Sequence, residues 1–177
     1  MNNGVKIIIL GISDLDIHEY VEDFVKTNKD LVLAKKFTTN EEEYNSGEYL
    51  MYLDLMTLSL SYKNNAFLYV TTDNSISHGI TIDEYWASDI SFMTIEEFNL
   101  ISDYTLGENV ILCWIDKSKV YDYKKLNLNE VRIFENRLEK FKYLYFLNID
   151  PSEFTIIVNK YLSATDEEKN ILLEEYS

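Results

Sequence analysis

The chain has 177 residues, 46% of them hydrophobic, and carries 16 basic against 31 acidic side chains for a formal charge of -15. That length supports one well-cored domain, and the charge opposes nonspecific attraction to nucleic acid or to an anionic membrane. The longest apolar runs, Val5 to Leu10 and Val110 to Ile115, fall far short of the roughly 20 residues a membrane helix needs. No cleavable leader pattern precedes the first of them. Cys113 is the single cysteine, which excludes an intramolecular disulfide and a cysteine-based zinc site. A soluble, reducing, cytoplasmic setting is expected.

Apolar runs alternate with helical patterns along the chain, which predicts an α/β domain with a mostly parallel sheet flanked by helices. Strands are expected at 5–10, 31–37, 66–71, 110–115 and 143–149. Helices are expected at 18–28, 48–62, 94–102, 128–141, 151–162 and 166–175. Thr94 and Glu97 have capping-box spacing, Pro151 suits a first turn, and Thr165 or Asp166 can cap the last helix. With one proline, five glycines and no repeat or linker, residues 1–177 read as a single domain. Residues 40–88 have the least regular pattern and are expected to form a divergent insertion or lid.

Between the first strand and the first helix lies Gly11-Ile12-Ser13-Asp14-Leu15-Asp16-Ile17-His18. A phosphate-binding loop has the form Gly-x4-Gly-Lys-[Ser/Thr], in which the second glycine lets the backbone wrap the phosphates. The lysine neutralises them and the hydroxyl holds magnesium. Here those three places are Asp16, Ile17 and His18. Two like charges ~4 Å apart repel by roughly 4 kcal/mol at an effective dielectric near 20, so Asp14 and Asp16 oppose a polyphosphate. The plainer reading is a strand-to-helix turn, with Asp16 capping the helix and Ser13 satisfying backbone groups.

In this order of features the chain resembles the guanylate kinase-like nucleoside monophosphate kinases. Gly11 and Ser13 match the start of that family's phosphate loop, and Phe37-Thr38-Thr39 falls where its Thr-Thr-Arg segment follows the second strand. The stretch from Asp89 to Phe98 resembles its aromatic substrate segment and following Glu-Glu-Phe helix. Val110 to Asp116 resembles the strand that ends in a carboxylate near the metal, and Phe141 to Leu162 the closing strand, Asn turn and terminal helix. The likeness spans about residues 5–39 and 89–162 and implies a P-loop kinase-like fold. The departures fall on chemistry: the loop lysine is Ile17, the arginine after the threonines is Asn40, and Arg132 and Arg137 are the only arginines. Phosphoryl transfer depends on such positive groups.

If the chain were active, the resemblance implies nucleotide or magnesium contacts at Thr38, Thr39, Asp116, Arg132 and Arg137. The helix from Glu130 to Lys142, which in that family supplies lid arginines, also reads as an exposed, salt-bridged helix. Carboxylates and aromatics at Glu41, Glu42, Glu43, Asp83, Glu84, Tyr85 and Trp86 form a candidate partner surface, since aromatic residues are enriched in interface hot spots. Tyr85 and Trp86 can equally be core beneath a loop, with the acids solvated. His18 and His78 have no metal-ligand spacing, so neither a metal nor a catalytic residue is expected.

The expectation is a catalytically silent kinase-like protein with no cofactor, acting as a protein-binding or inhibitory module. Its partner would be a protein, including a basic or DNA-binding one. Composition rich in Asn, Lys, Ile and Tyr points to an AT-rich genome and fits a bacteriophage product engaging a host protein. Two alternatives stand beside it: a divergent active kinase using magnesium and nucleotide, and an acidic DNA mimic.

Overall fold

The computed structural model describes residues 4–46, 50–117 and 128–177. The chain begins with β1 (Lys6–Gly11) and α1 (Asp14–Thr27), then passes to β2 (Lys36–Thr38), α2 (Glu41–Ser46), β3 (Leu50–Tyr52) and α3 (Leu55–Lys63). A hairpin of β4 (Phe67–Asp73) and β5 (Ile76–Thr81) leads through α4 (Ile82–Ala87) into β6 (Ile90–Thr94). Then come α5 (Ile95–Asn99), α6 (Asp103–Leu106), β7 (Val110–Asp116), α7 (Leu128–Leu138), β8 (Lys142–Leu147), α8 (Pro151–Ser163) and α9 (Asp166–Glu175).

Four strands form a parallel sheet in the order β6-β1-β7-β8. Every residue of β1 is buried, and the period of two explains its unbroken apolar run. Ile7 and Ile9 join one core with Phe24 of α1 and Phe154 of α8, while Ile8 and Leu10 join the opposite core with Phe98 of α5 and Phe134 of α7. Both faces of the sheet are therefore covered by helices. Because β6 and β7 flank β1 on opposite sides, the strand order reverses beside Gly11, and a crevice opens there at the carboxyl ends of the strands.

The second sheet, β3-β2-β5-β4, is mixed: β2 pairs with β3 in parallel and with β5 antiparallel, and β4 with β5 antiparallel. Three of its strands, β3, β4 and β5, lie within the irregular region 40–88. A buried ion pair joins this sheet to α5, the helix that follows β6, with Lys36 Nζ 2.8 Å from Glu97 Oε2. Glu97 also closes the capping box of α5 by accepting from the Thr94 backbone.

Several expectations shift. The segment 31–37 pairs with β6 through the isolated Leu33–Ile90 bridge, and its strand, three residues long, belongs to the second sheet. The segment 66–71 is an antiparallel hairpin strand, outside the parallel sheet. Of the helix expected at 48–62, Leu50–Tyr52 is instead strand β3, and α3 starts only at Leu55, where Asp54 accepts from the Met56 and Thr57 amides. Ile90–Thr94, read from sequence as a substrate segment, is a buried strand beside β1. No helix among the described residues is long and apolar enough to cross a membrane.

Candidate functional site

The crevice beside Gly11 is shaped by how α1 begins. Only Ile12 and Ser13 separate β1 from α1. The helix starts at Asp14, four residues before the expected His18, and Ser13 is its N-cap instead of Asp16. The Ser13 hydroxyl accepts from the Asp16 amide at 3.3 Å and donates to Asp16 Oδ2 at 2.6 Å. The start of the helix is thus capped by its own side chains. Ile17, at the place of the loop lysine, is fully buried. A Cβ on Gly11 would lie 2.3 Å from Ile17 Cγ2, so this glycine serves the approach of α1 to β1. His18 is exposed, 3.4 Å from Glu22.

An open cleft of about 610 Å³ lies next to this turn, lined by Asp16, Glu19, Tyr20, Lys117, Asn148 and Asp150 among others. Lys117 bonds to Glu19 and lies 4.9 Å from the Tyr20 ring centre, so its charge is already engaged. Tyr20 donates to the Ile149 carbonyl at 2.6 Å. Burial, reinforced by Glu19, Asp150 and Asp16, pushes its pKa up to about 12. Asp150 is held as the cap of α8, accepting from the Ser152 amide. Asp116, at the end of β7, is 1% exposed and accepts from the Tyr145 hydroxyl at 2.8 Å. Burial first, and this bond second, raise Tyr145 to about 12. Two residues connecting strand to helix leave no length of backbone to wrap a polyphosphate, and the cleft offers three carboxylates to one lysine. These residues do not fit a magnesium triphosphate.

The other residues singled out from sequence lie elsewhere. Thr38 Oγ1 donates to Glu43 Oε2 at 2.7 Å, Glu43 pairs with His78 at 2.7 Å, and Thr39 Oγ1 accepts from the Ser77 amide at 2.9 Å. They stitch α2 and β2 to β5, and the bonds from His78 and then Thr38 hold the Glu43 carboxyl below its usual pKa. Arg137 lies at the other end of α7, where the strands begin. It bonds to the Phe98 carbonyl and to Asp103, with Nε to Oδ1 at 2.9 Å, and its guanidinium sits 4.2 Å from the Phe98 ring centre. That buried position removes it from the phosphate loop, whereas Arg132 is exposed on α7.

Glu41 and Glu42 are exposed on α2 and Asp83 on α4, while the Glu84 carboxylate accepts from the Lys35 amide at 2.9 Å. Tyr85 is not surface at all: it is fully buried and donates to the Leu106 carbonyl at 2.9 Å. Trp86, packed against Tyr85, is half exposed. The side chain of Asp14 and residues 118–127 lie outside the described part of the structure. Sequence reasoning missed Tyr145 as the partner of Asp116 and Lys117 with Asn148 as cleft walls. The turn Asn148-Ile149-Asp150-Pro151, with its helix-start chemistry, was the available signal for the latter. Cys113 is fully buried, and burial pushes its thiol pKa up. No group of three metal-ligating side chains occurs among the described residues.

A parallel sheet with Gly11 turning directly into α1, and a mixed sheet set against it, define a P-loop kinase-like α/β fold. The likeness is to guanylate kinases: that of Anaplasma phagocytophilum superposes with a TM-score of 0.55 at 14% identity, over 90% of this chain and 84% of its own. At that identity the similarity establishes the fold. No family model and no curated protein matches the chain.

Proposed function

We propose that this chain is a catalytically silent kinase-like protein that acts by binding, and thereby inhibiting, another protein. The observation that carries the reading is the β1–α1 connection: Ile12 and Ser13 alone span it, Ser13 caps the helix, and Ile17 is sealed into the core. Phosphoryl transfer needs positive groups and backbone amides aimed at the transferred phosphate, and this turn directs neither there. A small acidic product of a bacteriophage or mobile element that engages a host protein fits the composition.

One feature favours a second reading, a divergent nucleotide kinase: a buried carboxylate, Asp116, closes β7 beside the loop. The two readings separate in a thermal-shift titration with magnesium and nucleoside triphosphates or monophosphates. Ligand at 100 times its dissociation constant stabilises a fold by about 2.7 kcal/mol. The binding reading expects no shift at millimolar nucleotide, and a magnesium-dependent shift overturns it. Capture from a nuclease-treated bacterial lysate supplies the complement: retention of a stoichiometric protein released by salt and not by nucleotide is expected.

A further inference from the structure

Helix α3, Leu55-Met56-Thr57-Leu58-Ser59-Leu60-Ser61-Tyr62-Lys63, carries five large apolar side chains spread around the helix instead of gathered on one face. Side chains of that kind are mostly buried in folded proteins. Yet Leu58 is its only buried residue, while Leu55 is 70% exposed, Met56 75%, Leu60 51% and Tyr62 50%. Nine residues also fall below the length at which a helix holds itself together in water, so its docking rests on Leu58, the Asp54 cap and the Tyr62–Phe67 ring contact at 4.9 Å. Tyr52 of β3 and Tyr44 of α2, their rings 6.2 Å apart, add two more exposed aromatics. Such a collection of apolar groups on a charged molecule marks an interaction surface.

Charge selects the occupant. Among the described residues from Glu41 to Lys63, the acids Glu41, Glu42, Glu43 and Asp54 stand against the single base Lys63. A second copy would bring another -15 against this rim, which disfavours self-association. Met56 and the leucines supply an adaptable apolar contact, and the tyrosines suit the core of an interface.

We infer that the face formed by α3 with Tyr52 and Tyr44 is a docking surface for a protein that presents an apolar patch rimmed by lysine or arginine. The inference rests on the protein-binding reading and assigns that binding to the second sheet, away from the crevice beside Gly11.

The test uses a defined probe, a fluorescent amphipathic helical peptide with leucine on one face and lysine on the other, and a leucine–glutamate counterpart. Four proteins are titrated by anisotropy at ~0.15 M salt, where exposed charges act over about 8 Å: wild type, L55S/M56S/L60S, E41K/E42K, and the cleft variant D16N/E19Q. Unfolding curves confirm that each is folded, and the altered α2 and α3 side chains are exposed. The expected result is binding of the lysine peptide to wild type, weakened at least about tenfold by the α3 and α2 variants and retained by the cleft variant. The glutamate peptide should not bind. Equal binding by all four proteins, loss only in the cleft variant, or no binding to wild type overturns the inference. So does a wild-type dimer in sedimentation that L55S/M56S/L60S abolishes, since the occupant would then be a second copy. These outcomes are independent of the nucleotide titration: a magnesium-nucleotide shift strikes the binding reading, and unchanged peptide binding in the α3 and α2 variants strikes the surface alone.

Discussion

Helices α1 and α3 each follow a short strand, each start at a capped turn, and each carry about as many apolar as polar residues. They end in opposite situations. In α1 the apolar side chains Ile17, Tyr20, Val21 and Phe24 are all buried against β1 and α8, and His18 and Glu19 are exposed. In α3 the chain buries Leu58 and leaves Leu55, Met56, Leu60 and Tyr62 outside. Around the parallel sheet the buried apolar side chains far outnumber exposed ones such as Leu147, Ile156 and Ile171, whereas α3 leaves four of its five apolar side chains outside. Exposed apolar groups gathered on a charged molecule are what a binding surface presents.

The sharpest way to break this contrast is where the second sheet meets α5. Lys36→Met leaves the buried Glu97 carboxyl without its ion-pair partner, and breaking a buried pair costs about 3–5 kcal/mol. In a domain of this size each kcal/mol lowers Tm by roughly 2–4 °C, so a calorimetric scan should show a large drop. An unchanged Tm would mean that the sheets do not depend on this link.

Within α3 the contrast predicts two classes of substitution. Leu58→Ala should cost about 2–5 kcal/mol in a urea titration, as expected for a truncated core leucine. Leu55→Ser and Met56→Ser should each fall within about 0.5 kcal/mol of wild type, because both side chains are exposed already. A large loss from either serine variant would show that the outer face is packed.

Two glycines test how closely each region is assembled. In Gly79→Ala the new Cβ would meet the Tyr69 backbone oxygen at 2.2 Å and Phe37 Cε1 at 2.8 Å. In Gly11→Ala the close approach is to a side chain, Ile17 Cγ2 at 2.3 Å, with the Ile115 backbone oxygen at an ordinary 3.7 Å. Each should destabilise by about 1–3 kcal/mol through overpacking, with Gly79→Ala at the upper end. Adding Ile17→Ala should make Gly11→Ala less costly than it is alone, which a double-mutant cycle would reveal.

The smallest effect is a pH dependence confined to the second sheet. The Glu43 carboxyl is held below its usual pKa by His78 and then Thr38, so its unfolded state binds the proton more tightly. Its contribution is present in full above the unfolded carboxylate range and is lost as pH falls through the lowered folded value. Glu43→Gln should flatten the acid limb of stability against pH. A limb identical to wild type would show that the pair is too solvated to contribute.

Much of the parallel half was legible because its signals are local. Continuous apolar runs marked β1, β7 and β8, and helix-start chemistry marked α5, α8 and α9 at Thr94, Pro151 and Thr165. The second sheet was obscure because its strands β2 and β3 are three residues each, too short for a period of two to register. Strand β6 was hidden for another reason: its run Ile90-Ser91-Phe92-Met93 is short and mixed, and only pairing with β1 makes it a buried strand.

At the candidate site the sequence by itself determined which residue types occupy the loop, since the absence of lysine at position 17 and of glycine at position 16 is a matter of identity. It could not determine that the helix starts at Asp14, that Ile17 is sealed against Gly11, or that Asp116 is bound to Tyr145. Nor could it show that Arg137 lies at the far end of the sheet and Tyr85 in the core, or that α3 lies outside it. Those outcomes depend on which side chains meet across long stretches of chain. Apolar burial and ion pairing are decided by three-dimensional neighbours, whereas caps and strand periodicity are decided by residues a few positions apart.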